Sequence, residues 1–291
     1  MNWYERMNIA IDYIEDHLTG DIDFEKISPI VCQSIAGFQR TFSIVTDISV
    51  FEYIRRRRIT LAAFELQEKK AKVLDVALKY GYESPEAFTR AFKDIHGIPP
   101  TMARKKGAAL KTFPRITFLL TVKGDSAMDY RIENKDAFRV YGIEGIFTTE
   151  DGKNLRDIPA FWLECMDSGQ CDKLLASTHD PGGRLHAICG YRDMGGSTFP
   201  YMIFAYQTKD SETDGFTAVE VPSATWAIFK TGKHTEEQTS DMIQSLTKRV
   251  YTDWLPTASY QKVDGYELEL YFNTDDGMCY CEAWIRVEPK K

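Results

Sequence analysis

Apolar positions recur every three to four residues through the first third of the chain, the spacing of one helix face. Met7, Ile11, Ile14 and Leu18 mark a first helix. Further helices are predicted over 24–31, over 34–45 with Ile35, Phe38, Phe42 and Val45 inward, and through "SVFEYIRRRRITLAAFELQ". A final pair covers 73–80 and 85–95. In the last of these, Phe88, Ala91, Phe92 and Ile95 form the packed stripe, leaving Glu86, Thr89, Arg90 and Lys93 outward. Gly81 stands where the preceding helix must stop in a left-handed conformation, which glycine adopts without a Cβ clash.

Past residue 104 the period drops to two. "RITFLLTVK", "YRIENKDAFRVYGI", "LHAICGY", "YMIFAYQT", "FTAVEV", "TWAIFKTG", "YELELYF" and "CYCEAWIRV" alternate, with β-branched and aromatic residues, between Gly, Pro and Asp breaks. Two helices interrupt these strands. One covers 158–168 with Pro159 in its first turn, the other 235–254 with Thr235 as N-cap. The order ββαββ then occurs twice. The expected architecture is two domains: all-α over 1–107, then α+β over 108–291 with a largely antiparallel sheet.

The helical part repeats. A shift of 50 residues lays 24–42 on 74–92 and matches Ser34 with Ser84, Phe38 with Phe88, Arg40 with Arg90 and Phe42 with Phe92. Two similar helix pairs with short turns read as a repeated helix-turn-helix. Each presents an arginine at the same outward position, and an arginine there can donate two hydrogen bonds to guanine O6 and N7. A surface helix with a solvated arginine would look the same at either position taken alone.

Charge adds an asymmetry. Residues 1–112 hold 17 Lys and Arg against 15 Asp and Glu, whereas 113–291 hold 19 against 28. The whole chain is acidic at −7, so any nucleic-acid contact must come from a local patch. "RRRR" at 55–58 is not such a patch, because successive helical residues turn about 100° and cannot share one face. Most of the four are expected to be solvated or paired with acids. No apolar run reaches the ~20 residues of a membrane span. The start of the chain has no signal-peptide layout. The six scattered cysteines form no C-x2-C pair, so neither a metal site nor a cofactor is expected, and a cytoplasmic location is. The five histidines do not sit beside any nucleophile motif.

The last two strands carry the candidate ligand chemistry. Alternation puts Glu267, Glu269 and Tyr271 on one face, and Tyr280, Glu282 and Trp284 on one face of the next strand. A hairpin pairing Phe272 with Cys279 would oppose Glu269 to Glu282 and Tyr271 to Tyr280. Two facing carboxylates are relieved by a proton or a bound cation, and aromatic rings beside them attract the same cation. A solvent-facing strand edge, or a register shifted by two, would leave ordinary acids instead.

At "LDVALKYGYESPEAFTRAFKDIHGIPP" and "EYIRRRRITLAAFEL" the chain resembles the AraC/XylS family of bacterial transcription regulators. The resemblance covers roughly residues 4–106. It implies two helix-turn-helix units entering successive major grooves about one DNA turn, ~34 Å, apart. It also implies base or backbone contacts from Ser34, Gln39 and Arg40 in the first unit, and from Ser84, Glu86, Thr89, Arg90 and Lys93 in the second. Val31 stands where the first unit would carry its turn glycine, and Gly37 lies within its recognition helix. Residues 113–289 resemble the GyrI-like, or AraC effector-binding, domain. "MDYRIENKDAFRVYGIEG", "IPAFWLECM", "VEVPSATWAIFKTGKH", "DWLP", "GYELELYF" and "EAWIRV" carry this resemblance. It implies a duplicated β-α-β-β fold around a cleft, with a glutamate that takes cationic or amphipathic aromatic compounds. By motif the acids are Glu269 and Glu282, with Tyr271, Tyr280, Trp284, Trp162, Tyr191, Tyr206 and Trp226 as walls. The implied protein is a cytoplasmic regulator. Its partners are promoter DNA, RNA polymerase and a small-molecule effector, with no membrane. A hydrolase or a drug-sequestering module built on the same domain is the alternative.

Overall fold

The computed structural model describes residues 1–68, 71–105, 107–119, 127–180 and 183–290. The helices are α1 (Trp3–Asp16), α2 (Phe24–Val31), α3 (Ile35–Thr46), α4 (Val50–Glu68), α5 (Val73–Lys79), α6 (Pro85–His96), α7 (Pro100–Ala103), α8 (Asn154–Asp167), α9 (Gln170–Ala176) and α10 (Thr239–Arg249). The strands are β1 (Tyr130–Lys135), β2 (Phe138–Thr148), β3 (His186–Cys189), β4 (Thr198–Tyr206), β5 (Thr217–Val221), β6 (Ala224–Lys230), β7 (Tyr260–Asn273) and β8 (Cys279–Pro289). No helix among the described residues is long and apolar enough to cross a membrane.

By contact the chain divides into two compact units. One comprises Tyr4–Ile30 and Val50–Leu119; the other comprises Met1–Trp3, Val31–Ser49 and Leu120–Lys291. α3 therefore belongs to the same unit as the β-sheet.

In the helical unit, Ile59, Ala62, Ala63 and Leu66 of α4 bury against Val76, Ala77 and Tyr80 of α5 and its cap, and against Phe88, Ala91, Phe92 and Ile95 of α6. The four arginines of α4 are all engaged. Arg55 and Arg56 pair with Glu52 one turn back, at 2.8 and 2.6 Å. Arg57 donates to both oxygens of Glu15 at 2.8 Å, and Arg58 donates to the carbonyls of Leu18 and Gly20 at 2.9 and 2.6 Å. Gly81 has φ 79°, the left-handed stop expected of it. In the first repeat the left-handed residue is Cys32 (φ 54°), one position past Val31. Val31 completes the last turn of α2 instead, because a β-branched residue resists positive φ.

Among the described residues eight strands form one antiparallel sheet in the order β1-β6-β8-β7-β3-β4-β2-β5. The half β5–β8 has the predicted order ββαββ, and the half β1–β4 follows it with an additional helix, α9, between α8 and β3. Exchanging the halves reverses the strand order onto itself, so the sheet has a pseudo-two-fold axis between β3 and β7. β1 and β5 each cross to pair with the other half. Helices cover one face. α8 and α9 sit over Tyr141, Ala187, Phe199, Tyr201 and Ile203, while α10 and the turn after it sit over Ala227, Phe229, Cys281, Ala283 and Ile285. The opposite face closes on itself around Trp226, Trp284, Ile188, Met202, Phe204 and Leu268.

Two sequence expectations shift. α8 starts at Asn154, so Pro159 lies inside the helix rather than in its first turn. The missing proline N–H removes only the bond to the carbonyl of Leu155, an exposed residue that water reaches. Of the strand expected over 115–123, residues 115–119 are not strand and the remainder lies outside the described residues.

Candidate DNA-reading helices and effector cleft

α6 keeps the outer face read from the sequence. Phe88, Ala91, Phe92 and Ile95 are buried, Glu86, Arg90 and Lys93 are exposed, and Thr89 is half-buried. Ser84, expected among the DNA contacts, is the N-cap, its hydroxyl accepting from Ala87 N at 3.1 Å. Gly97 closes the helix at φ 75°, its N–H donating to the Lys93 carbonyl at 2.8 Å.

α3 is placed differently. The sequence puts Gln39 and Arg40 outward, but they are 1 % and 7 % exposed because they face the β-sheet domain. Ser34 caps α3 through its hydroxyl, and its N–H donates to Asp264 Oδ2 at 2.7 Å. The Gln39 side-chain carbonyl accepts from the Thr149 hydroxyl, while its Nε2 is buried without a hydrogen-bond partner among the described residues. The Arg40 guanidinium lies 4.5 Å above the centre of the Phe199 ring, with Nη2 3.5 Å from Glu267 Oε1. At the end of the helix Asp47 pairs with Lys248. In this arrangement Ser34, Gln39 and Arg40 are not free to meet DNA. Gly37 permits the approach, since a Cβ there would lie 2.7 Å from Asp264 Oδ1.

The terminal hairpin pairs Asn273 with Cys279, not Phe272 with Cys279. That one-residue change moves every β8 side chain to the other face relative to β7. Glu269 stands opposite Ala283, Glu282 opposite Leu270, Tyr271 opposite Cys281 and Tyr280 opposite Phe272. The opposed glutamate pair is therefore absent. Glu282 lies on the face away from the helices, where it accepts from Arg131 at 2.8 and 3.1 Å and from Trp284 Nε1 at 2.9 Å. Tyr280 stacks on Phe272 at 4.7 Å under the ammonium of Lys230. Trp226 packs on Trp284 and is fully buried. Tyr206 packs on Phe138, Phe204 and His186, and Tyr191 donates to Glu144 at 2.6 Å. These six expected wall and acid residues are core or ion-pair residues on the face opposite Glu269, although Trp284 also borders the small cavity beside it.

Three of the nine expected residues do converge, on the helix-covered face. Tyr271 OH donates to Glu269 Oε2 at 2.8 Å, and its ring meets Trp162 edge-on at 6.0 Å. Trp162 Nε1 donates to Tyr201 OH at 2.8 Å. A cavity of about 30 Å³ between β3, β7, β8 and α10 is lined by Cys189, Tyr201, Thr247, Glu267, Glu269 and Ala283, among others. Burial pushes the Glu269 carboxyl above its ordinary pKa, against the Tyr271 hydrogen bond and helped by the nearby Glu267. Glu267 is the reverse case. Burial would raise it, but the Lys262 ammonium at 2.7 Å and Arg40 outweigh that and hold it at about 2. Lys262 reaches Glu267 because β7 bulges between Lys262 and Glu267, which also brings Asp264 to α3. Among the described residues no cluster of three or more His, Cys, Asp or Glu is placed to hold a metal ion.

Sequence reasoning missed Tyr201, Phe199, Lys262 and the role of Glu267. Alternation through "TFPYMIFAY" sets Phe199 and Tyr201 on one face, a signal sufficient for both. The bulge has no comparable signal beyond Gly265, which takes φ 87° there.

A helix-turn-helix region followed by a duplicated antiparallel sheet with helices on one face is the pairing of an AraC-type helix-turn-helix domain with a GyrI-like effector-binding domain. The chain belongs to the family described as integron-associated effector binding protein (Cass2), matched over residues 131–287, and a helix-turn-helix domain family is matched over 28–106. MarA, the multiple antibiotic resistance protein of Escherichia coli K12, is 38% identical over 90 residues, 31% of this chain and 71% of MarA. The uncharacterized HTH-type transcriptional regulator YbfP of Bacillus subtilis 168 is 39% identical over 99 residues, and the chain spans only 34% of its length. A putative bacterial transcription regulation protein from Staphylococcus aureus MU50, known as a crystal structure, is 17% identical with a TM-score of 0.43; the match covers 56% of this chain and 99% of that one.

Proposed function

We propose that this chain is a promoter-binding transcription regulator whose C-terminal domain takes a hydrophobic organic cation against Glu269. Residues 1–107 would serve DNA and 108–291 the effector. The observation that carries the reading is the carboxylate itself. Glu269 is half-buried, bordered by Tyr271, Trp162 and Tyr201, and pairs with no lysine or arginine among the described residues. A half-buried acid without a counter-ion beside aromatic rings favours a ligand that supplies the positive charge. The similarity to MarA, and the exposed Arg90 and Lys93 of α6, support DNA as the macromolecular partner. On this reading the chain works in the cytoplasm, with RNA polymerase as the machinery it directs.

The test is a tryptophan-quenching titration of the full chain with tetraphenylphosphonium and with a neutral analogue of the same shape. An ion pair at 4 Å contributes about 4 kcal/mol at an effective dielectric of 20, before desolvation is subtracted. Glu269→Gln should therefore weaken the cation by about tenfold or more, equivalent to about 1.4 kcal/mol, and leave the neutral analogue unchanged. Cation affinity should rise with pH as Glu269 ionises. Equal affinity for both ligands in the wild type refutes the cation reading. Consumption of the bound ligand would replace the sensor with a hydrolase.

A further inference from the structure

We propose that Glu267 and the Phe199 ring form a second organic-cation subsite in the effector cleft, which Arg40 of α3 fills in this structure and an incoming cation takes over, releasing α3 to DNA. The inference rests on the cation reading of the cleft and extends it to a residue pair outside that reading.

The subsite has the composition a delocalised cation requires. One side is an aromatic face 4.5 Å from the guanidinium carbon; the other is a carboxylate oxygen 3.5 Å from Nη2. Guanidinium is planar and more weakly hydrated than ammonium, the properties that also let hydrophobic organic cations leave water for such a slot. Glu267 also lines the small cavity that Glu269 lines, so the two acids border one space. Lys262 stays 2.7 Å from Glu267 and keeps the carboxylate paired if Arg40 departs.

The docked helix shows what holds it and what opposes it. Two glycines make room: an added Cβ at Gly37 would lie 2.7 Å from Asp264 Oδ1, and one at Gly190 3.2 Å from Arg40 Nη2. Opposing the arrangement, the side-chain amide nitrogen of Gln39 is buried with no acceptor among the described residues. The residues masked here are also those the helix-turn-helix resemblance assigns to base reading. Effector binding and DNA binding then compete for α3 through one site, a coupling that must run equally in both directions.

The experiment uses the full chain and a duplex selected from a random pool. Gel-shift affinity at fixed salt is measured with and without tetraphenylphosphonium, alongside hydrogen exchange of the amides of α3 and α6. The expected result is a roughly tenfold gain in DNA affinity with the cation, within ordinary site-to-site coupling. Exchange should become faster in residues 35–46 and stay unchanged in 85–96. Glu267→Gln and Gly37→Ala should each raise cation-free DNA affinity and abolish the further gain. Gly37→Ala guards against misfolding, since alanine favours the helix while its Cβ meets Asp264. If the cation binds in a Glu269-dependent way but α3 exchange and DNA affinity do not move, the inference is overturned and the cation reading stands. If the cation does not bind the wild type, both fall.

Discussion

Mutating Arg131 and Glu282, singly and together, tests whether the sheet really separates the two glutamates. Glu282 is 6 % exposed and receives two hydrogen bonds from Arg131 and one from Trp284. Hydrogen bonds to charged groups contribute about 1.5–3 kcal/mol each when buried. The Arg131 side chain is 42% exposed, so water screens the pair, and the coupling is discounted to about 1–2 kcal/mol. Arg131→Met should cost about 2 kcal/mol, because it leaves a desolvated carboxylate with the indole alone. Glu282→Gln keeps an acceptor for Trp284 and should cost less. The double variant should be more stable than the sum of the singles predicts, by the coupling. Urea midpoints at constant slope give all four values. The same four proteins should bind tetraphenylphosphonium equally well. A coupling below about 0.5 kcal/mol would contradict the expected magnitude. A tenfold loss of cation affinity in Glu282→Gln would refute the register argument itself.

On DNA, Arg90→Ala should cost about 1–3 kcal/mol on the selected site and relax specificity at one base pair, whereas Lys93→Ala should weaken all sequences evenly. Gel shifts against single-base variants decide this, and equal affinities for Arg90→Ala and wild type on every duplex would remove Arg90 from base reading. The raised pKa of Glu269 sets a stability trend: the unfolded chain loses this proton at its ordinary value near 4.5 while the folded chain still holds it. Wild type should therefore lose stability relative to Glu269→Gln as pH rises from about 4.5 through the raised value, then run parallel to it. Melting temperatures across pH 4–8 that keep a constant gap would contradict the burial argument.

Local pattern carried the fold where each signal stood on its own. The 50-residue repeat identified both helix-turn-helix units, and the period-two segments gave the doubled ββαββ order. α6 followed because its apolar stripe and the Gly81 stop of the helix before it agree, although its Ser84 cap was not among the expectations. The cleft was legible only in part. Alternation grouped Glu267, Glu269 and Tyr271 correctly, but hairpin register depends on the loop. The turn through Thr274–Gly277 is closed by Thr274 N donating to the Met278 carbonyl, which fixes Asn273 opposite Cys279. Alternation cannot count loop residues, and an error of one puts Glu282, Tyr280 and Trp284 on the wrong side. The burial of Arg40 was not legible at all. Nothing local to "SIAGFQRTF" says that its outer face meets Asp264 and Glu267, which lie more than 220 residues further along the chain.

The strand order that reads the same from either edge has a consequence for how such a cleft arises. One ββαββ chain, paired with an identical copy through exchanged first strands, would build the same eight-stranded sheet. Such a homodimer would have to repeat every axial side chain on both sides of its two-fold. Joining the halves in one polypeptide lifts that constraint. Here β7 contributes Glu267 and Glu269 to the helix-covered face, while β3 answers with Ala187 and Cys189. A single polypeptide thus permits charge on one side of the axis and small neutral residues on the other, an asymmetry a symmetric homodimer could not hold. Severing the chain between β4 and β5 leaves each half short of the strand its partner lends, so the lopsided site needs both unlike halves paired.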